Sequence, residues 1–325
     1  MRAAAVIALG AAVVVPLVRR RYRIPPAVTI ASVAAGPVAL AVLTPRTKAR
    51  DAGMFGLQMW AFTMAHELPY DDPERLRARL RVRYPIRVDW VIGGGELPGL
   101  RLQHVLSRPG RVAMHDRVLT VVHWAWFFQP HLSLLYVLVR HEDDFARAAR
   151  QMAGTFDLGC LLYYLVPTAP PWWAAEQGYL DGELERKAAE VASADSARVD
   201  PSGEVPPALR RIMVDVGEGF WGRAWPTLYD SLGGNPWAAM PSLHLATSLM
   251  AAILLAESEP AAGWVGWGYA ITLGFALVYL GEHYVTDLVA GAALVAGVRL
   301  GEPVVEPLAL RASEAVQRLE RLANG

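Results

Sequence analysis

The sequence has little charge and almost no cysteine for its length. Of its 325 residues, 19% are charged and 54% are hydrophobic, whereas about a quarter of the residues are charged in an average soluble domain. The formal net charge of +0 gives no basic field for nucleic acid. Cys160 is the single cysteine, which excludes an intrachain disulfide framework and a cysteine-rich zinc site. The composition therefore favours a membrane protein.

Motifs for nucleotide, metal and cofactor binding are also missing. The glycine run Gly93-Gly94-Gly95 lacks the spacing and the following lysine of a phosphate loop, so it predicts a turn. The sequence has no H-E-x-x-H motif and no cysteine pair to supply metal ligands. We therefore expect neither a metal nor a cofactor.

Long apolar runs take the place of charge. A helix needs roughly 20 apolar residues to cross the hydrocarbon core. The runs that approach this length are Ala3–Val18, Pro26–Leu43, Val118–Val139, Gln151–Val166, Pro241–Ala256, Ala261–Leu280 and Val285–Leu300. Ala52–Leu68 is a further candidate for a spanning or re-entrant helix. These runs predict an all-α, polytopic transmembrane bundle of about six or seven spans.

Polar segments divide this bundle into three parts. We expect anchor helices and an arginine-rich insertion over residues 1–110, followed by a catalytic membrane domain over 111–303. An extramembrane insertion at 174–237 interrupts that domain, with an exposed helix at Glu183–Val191 and a loop at Pro201–Pro207. The tail, 304–325, predicts an amphipathic helix.

Arginine clusters indicate how the chain is oriented in the membrane. The cluster from Arg19 to Arg23 and the turn that holds Arg140, Arg147 and Arg150 predict cytoplasmic loops. The ends of the fourth and sixth runs, and the starts of the fifth and seventh, then face outward. We therefore expect a multi-pass plasma-membrane protein whose site lies on the extracytoplasmic face.

Three motifs lie at those outward ends. The first, from Val166 to Trp173, has three prolines that close a helix and hold the exit extended, and taken alone it is better explained as a plain helix stop with an aromatic anchor. The second runs from Ala239 to His244, where Pro241 would begin a helix whose free N–H groups can bind phosphate. In that motif Ser242 could be a simple cap, and His244 an interfacial histidine.

The third motif runs from Gly281 to Asp287. His283 and Asp287 are four residues apart, so they share a helix face, where the carboxylate can orient the imidazole for attack. A metal pair or a structural hydrogen bond are the alternatives. Because successive spans alternate in direction, the three motifs should meet at one membrane face.

The second and third motifs, with the sequence PTAPPW of the first, resemble the type 2 phosphatidic acid phosphatase superfamily. The resemblance covers about Asp116 to Gly301 and is strongest to the branch with the inositol phosphorylceramide synthases and related actinobacterial membrane proteins. It implies that His283 attacks phosphorus and carries a covalent phosphate, that Asp287 orients it, and that His244 protonates the leaving group.

The resemblance also implies the phosphate contacts. These are Pro241, Ser242 and Leu243 in the second motif, with Thr168 and Pro170 in the first. The lipid phosphatases have glycine where this chain has Leu243 and arginine where it has Leu277, and their first motif carries cations that are missing here. Replacement charge could come from Arg223, or from Arg210 and Arg211.

These departures favour transfer over hydrolysis. The leading hypothesis is a phosphotransferase that moves a phosphate-bearing group between a phospholipid or lipid phosphate and a polyol such as inositol. A lipid phosphate or polyprenyl pyrophosphate phosphatase, with water as acceptor, is the alternative. A non-catalytic membrane scaffold or transporter is the third reading.

Three polar residues inside the runs do not belong to the motifs. His123 and His131 are eight residues apart, so they could line a lipid pocket or a proton path, although packing is the simpler role. Asp157 should pair with a polar neighbour or with one of these histidines.

Overall fold

A computed structural model describes residues 1–108, 111–182, 209–225 and 235–324. Within these ranges the only extended pairings are isolated bridges. The helices are α1 Arg2–Tyr22, α2 Pro26–Leu43, α3 Lys48–Glu67, α4 Pro73–Arg77, α5 Arg83–Ile92, α6 Pro98–Leu106, α7 Met114–Ala125, α8 Gln129–Arg140, α9 Glu142–Leu165, α10 Pro171–Glu176, α11 Ile212–Trp221, α12 Leu243–Ser258, α13 Pro260–Tyr279 and α14 Val285–Asn324. The predicted all-α class is confirmed. The predictions for Glu183–Val191 and Pro201–Pro207 lie outside the described residues.

Four of the described helices are long and apolar enough to cross a membrane. They are α1, α2, α13 and α14, while α12 is apolar but shorter. Their outward faces carry large apolar side chains such as Trp264, Val265 and Ile271, which are 79%, 74% and 68% exposed. The chain is therefore a membrane protein, and the count of six or seven spans stays a prediction.

The run Val118–Val139 is not one helix, contrary to the prediction. It divides into α7 and α8 around a turn at Trp126–Phe128. Pro130 lies in the first turn of α8, where its missing N–H is not needed, and in a continuous helix its ring would clash with the carbonyl of Trp126. The proline therefore makes the chain begin a second helix.

Helix α14 continues through the position where we expected a separate tail. It runs for 40 residues and includes both Pro303 and Pro307. Arg150 of α9 forms ion pairs with Glu302 and Glu306 on either side of Pro303. These pairs hold the proline-containing turns against α9, and residue 304 has no helix break.

The main core lies between α8, α9, α12 and α14. Met152, Phe156 and Met250 are almost completely buried within it, and Leu243 at the start of α12 joins them. A Cβ added at Gly159 of α9 would come within 2.5 Å of Leu243 Cδ2. This close packing fixes the beginning of α12, which carries the second motif.

Candidate active site

Helix α12 begins two residues later than predicted. Ser242, rather than Pro241, precedes the helix as its N-cap, and its Oγ accepts the Leu245 N–H at 3.3 Å. A serine hydroxyl can accept a first-turn N–H, which a proline cannot do, so the cap sets the start. The first intrahelical bond joins the Ala246 N–H to the Ser242 carbonyl. The amides of Leu243 and His244 precede that bond and lie at the positive end of the helix.

The first motif forms an extended segment beside the second. The Thr168 N–H donates to the Trp237 carbonyl at 2.9 Å, and the Thr168 carbonyl accepts the Ala239 N–H at 3.2 Å. The fully buried Thr168 hydroxyl lies 2.9 Å from the Tyr84 hydroxyl. Pro170 precedes α10 as its N-cap residue. Thr168 therefore braces the chain that leads to Ser242, and its role as a phosphate contact stays a prediction.

The third motif is a turn between α13 and α14. Gly281 has φ of +77°, a conformation that L side chains rarely adopt. Its carbonyl accepts the Trp172 N–H from the first motif at 3.2 Å. The Asp287 carbonyl accepts the Ser242 N–H from the second motif at 2.9 Å. Backbone hydrogen bonds thus join all three motifs into one unit.

The two histidines meet at the centre of this unit. His283 Nδ1 lies 3.3 Å from Asp287 Oδ2, and His283 Nε2 lies 3.1 Å from His244 Nδ1. Because the carboxylate can only accept, we assign the His283 proton to Nδ1, and Nε2 then accepts from His244 Nδ1–H. Asp287 is fully buried and His283 is 5% exposed. The result is a continuous chain from Asp287 through His283 to His244.

Aromatic rings surround His244 on its other sides. The Trp126 ring centroid lies 4.2 Å from that of His244, and the Trp126 indole N–H donates to the Thr247 hydroxyl at 2.9 Å. The His123 ring centroid lies 4.9 Å from that of His244. These rings come from α7 and the turn that follows it, so the break at Pro130 brings Trp126 to the site.

The predicted cations have other partners or lie at the surface. Arg210 forms an ion pair with Asp215 at 2.6 Å, and Arg211 forms one with Glu176 at 2.8 Å. Arg223 is exposed in a 3₁₀ turn after α11. The position where the lipid phosphatases have arginine holds the fully buried Leu277. The role of Arg223 in phosphate binding stays a prediction.

Asp89 is a site-building residue that the sequence reasoning missed. This carboxylate of α5 is 1% exposed and accepts the N–H groups of Val285 and Thr286, each at 2.8 Å, together with the Thr286 hydroxyl at 2.5 Å. It caps α14 from nearly 200 residues away in the chain, just before Asp287. A local cap pattern could not have revealed it, since the donors and the acceptor belong to different segments.

We expect Asp89→Ala to lower the free energy of unfolding by about 2–4 kcal/mol, because three part-buried donors lose their buried acceptor. Thermal unfolding of the detergent-solubilised protein measures this loss. Asp157→Ala is the matched control, since Asp157 is exposed and its carboxylate accepts from Gln58, at 2.8 and 3.1 Å. Equal destabilisation by the two variants would show that the Asp89 cap adds nothing beyond a surface polar contact.

Glycine at position 291 allows α14 to pass against the second motif. A Cβ added there would meet the Ser242 carbonyl oxygen at 2.7 Å. That carbonyl accepts the first helical N–H of α12, so it cannot move away without disturbing the cap. Any larger residue at position 291 would therefore push α14 away from the start of α12.

Glu282, in the turn just before His283, is outside the helices. Burial raises the pKa of its carboxyl from 4.5 to about 7, while the charges of Arg211 and His283 oppose the rise. The folded protein therefore binds this proton more tightly than the unfolded chain does. Stability from this group is complete below about pH 4.5 and is lost as the pH rises toward 7.

Glu282→Gln should remove this pH dependence. A neutral amide has no proton to lose, so the unfolding temperature of the variant should fall less between pH 5 and pH 7.5 than that of the parent protein. Thermal unfolding at both pH values is the measurement. Parallel pH profiles of the unfolding temperature for the two proteins would contradict the raised pKa of Glu282.

Comparison with known proteins identifies the family of the chain. A family model described as PAP2 superfamily matches residues 99–300, and the chain belongs to that superfamily. The match begins within α6, earlier than the start near Asp116 that we expected. In the part of the chain described by the structure, no group of three or more histidine, cysteine or acidic side chains could hold a metal ion.

A named relative supports the expected branch of the family. The chain is 26% identical over 230 residues to the inositol phosphorylceramide synthase catalytic subunit aur1 of Schizosaccharomyces pombe, across 68% of this chain and 47% of the relative. The chain thus spans about half the length of that protein. No solved structure matches it. Family and relative together point to an enzyme of the lipid phosphatase and phosphotransferase class.

Proposed function

We propose that this chain is a membrane phosphotransferase that moves a phosphate-bearing group between a lipid and a polyol acceptor through a phosphohistidine at His283. The observation that supports this most directly is the chain of contacts from Asp287 to His283 and on to His244, with distances of 3.3 and 3.1 Å. The second and third motifs supply these three side chains and meet at the positive end of α12.

In the first step, His283 Nε2 attacks phosphorus and the bond from phosphorus to the lipid oxygen breaks. His244 enters this step as the imidazolium, gives one proton to the departing oxygen and becomes a neutral imidazole, so the leaving group departs as an alcohol. Asp287 holds the His283 proton on Nδ1 and stabilises the positive charge that grows on the ring. The amides of Leu243 and His244 face the phosphate oxygens, whereas the Leu243 side chain is buried in the core.

In the second step, His244 accepts a proton from the acceptor hydroxyl. The acceptor oxygen attacks phosphorus, the bond from phosphorus to Nε2 breaks, and His283 is restored. Both steps require phosphorus to lie between the two imidazoles. Since their nitrogens are in direct contact at 3.1 Å, the substrate must separate them on entry.

The acceptor decides between transferase and hydrolase. If the chain is a transferase, purified protein with a lipid donor should form a phosphorylated polyol when inositol is added and should release little free phosphate without it. Release of phosphate at one rate with and without the polyol would make the chain a lipid phosphate or polyprenyl pyrophosphate phosphatase, with water as the acceptor. A scaffold or transporter would give neither product.

The membrane side of the site is open to a direct test. We propose the extracytoplasmic face of the plasma membrane, because the arginine-rich turn at Arg140–Arg150 lies at the opposite end of α9 from the first motif. The cluster at Arg19–Arg23 does not support this orientation, contrary to the prediction. Arg19 forms ion pairs with Glu67 and Asp71, and the end of α3 that carries Glu67 contacts Tyr164 next to the first motif. Single cysteines introduced at exposed Arg223 and at exposed Arg140, in a Cys160→Ser background, should react with a membrane-impermeant thiol reagent in intact cells at position 223 only. Labelling of position 140 alone would show that the site faces the cytoplasm.

A further inference from the structure

His123 is a buried imidazole whose ring nitrogens have no hydrogen-bond partner among the described residues. It is 5% exposed, and neither Nδ1 nor Nε2 makes a hydrogen bond there. Leaving buried polar groups unpaired costs free energy, and buried polar atoms in native proteins usually have partners. A substrate that enters the site can supply such a partner for His123.

The position of His123 identifies where that molecule binds. His123 lies on the buried face of α7 with Leu119 and Thr120. Its ring faces the ring of His244, with centroids 4.9 Å apart and planes 31° apart. The ring of His244 in turn lies 5.2 Å from that of His283. Three imidazoles thus gather at one point, and His283 and His244 are already bonded to each other.

We propose that His123 binds a phosphoryl oxygen of the substrate. The proposal rests on the function proposed above, because that function places phosphorus between His244 and His283. A neutral imidazole offers one N–H donor, and an N–H that donates to a charged phosphate oxygen makes one of the stronger protein hydrogen bonds. His123 thereby provides a phosphate contact at a site where Leu277 replaces the arginine of the lipid phosphatases.

His131 provides the matched control. It belongs to the same apolar stretch, but it lies on α8, where it stacks on Phe156 with ring centroids 6.0 Å apart and planes 6° apart. The break at Pro130 separates it from the site. His131→Gln changes the same residue type without touching the three-imidazole cluster.

Two variants of His123 separate a ligand contact from a packing role. His123→Phe keeps a planar ring and removes both nitrogens, so it relieves the buried unpaired atoms and should leave the unfolding temperature equal or higher. His123→Gln keeps a side-chain N–H donor and should retain part of the binding. A structural histidine would give the opposite result for His123→Phe, namely a lower unfolding temperature with unchanged ligand binding.

The probe is inorganic vanadate, which adopts the five-coordinate geometry of phosphoryl transfer, and binding to the full chain in detergent is measured by titration calorimetry. We expect His123→Phe to weaken vanadate binding roughly ten- to hundredfold, with the parent affinity retained in His131→Gln. Equal affinities of the parent and His123→Phe would overturn the role of His123 and leave the proposed function standing. Absence of vanadate binding in the parent protein would overturn both.

Discussion

His283→Ala should reduce turnover by at least about a thousandfold, because the variant has no nucleophile to form the covalent intermediate. Both steps of the proposed transfer use His283 Nε2, so the loss of turnover should appear with every lipid donor. Turnover is measured with purified protein and a radiolabelled phospholipid. His131→Ala, which removes a histidine outside the site, should keep the parent rate.

The same variant tests the intermediate itself. Mass spectrometry of the parent protein, quenched during turnover, should find a phosphate-bearing adduct on His283, and the adduct should be missing from His283→Ala. His244→Ala sharpens the test when the donor is an aryl phosphate ester, whose leaving group needs no proton. The adduct should then form but decay slowly, because the acceptor hydroxyl has lost its base. Turnover by His283→Ala within tenfold of the parent rate would refute the nucleophile assignment.

Asp287→Asn should lower kcat by about two to four orders of magnitude while the fold is retained. The amide keeps the size of the carboxylate but removes its charge, so it no longer stabilises the positive charge that grows on the His283 ring. The Tyr284 N–H, which donates to Asp287 Oδ2 at 2.9 Å, would select the amide oxygen. The same oxygen faces His283 Nδ1 at 3.3 Å, so the amide NH₂ would take the place of Oδ1, and the Nδ1–H would have a neutral acceptor in place of the carboxylate.

Asp116→Asn is the control for this second variant. Asp116 is also fully buried, and its carboxylate accepts the Ala113 N–H at 2.8 Å and the Tyr279 hydroxyl at 2.5 Å. The Asp116→Asn variant also loses a buried charge, but it does so on α7, away from His244 and His283. Comparable losses of kcat in the two variants, with equal unfolding temperatures, would mean that Asp287 acts through general stability.

The convergence of the second and third motifs could be predicted from the sequence, whereas several boundaries of the elements could not. His244, His283 and Asp287 could be named because their spacing and their places at the ends of apolar runs are local properties. Hydropathy alone could not place the break between α7 and α8, because Pro130 lies within a continuously apolar stretch. Ser242 was interpreted as a possible cap, yet only the structure shows that it caps α12, so that the helix begins at Leu243 and not at Pro241.

Contacts between distant segments were beyond local patterns. Asp89 looks like one acid among many in an arginine-rich insertion, and its role depends on α5 reaching the start of α14. His123 was interpreted as a packing residue because a lone histidine on an apolar helix usually is one. Only the convergence of α7, α12 and the turn before α14 sets it beside His244.

The cap that Asp89 provides has a practical consequence for dissecting the protein. Family similarity begins at residue 99, so a fragment cut to that boundary would discard α5 and leave the amino end of α14 bare. The residues removed by this truncation would also include Arg81, whose backbone forms hydrogen bonds with Pro167 and Ala169. A minimal expression fragment of this protein should therefore begin upstream of Arg81.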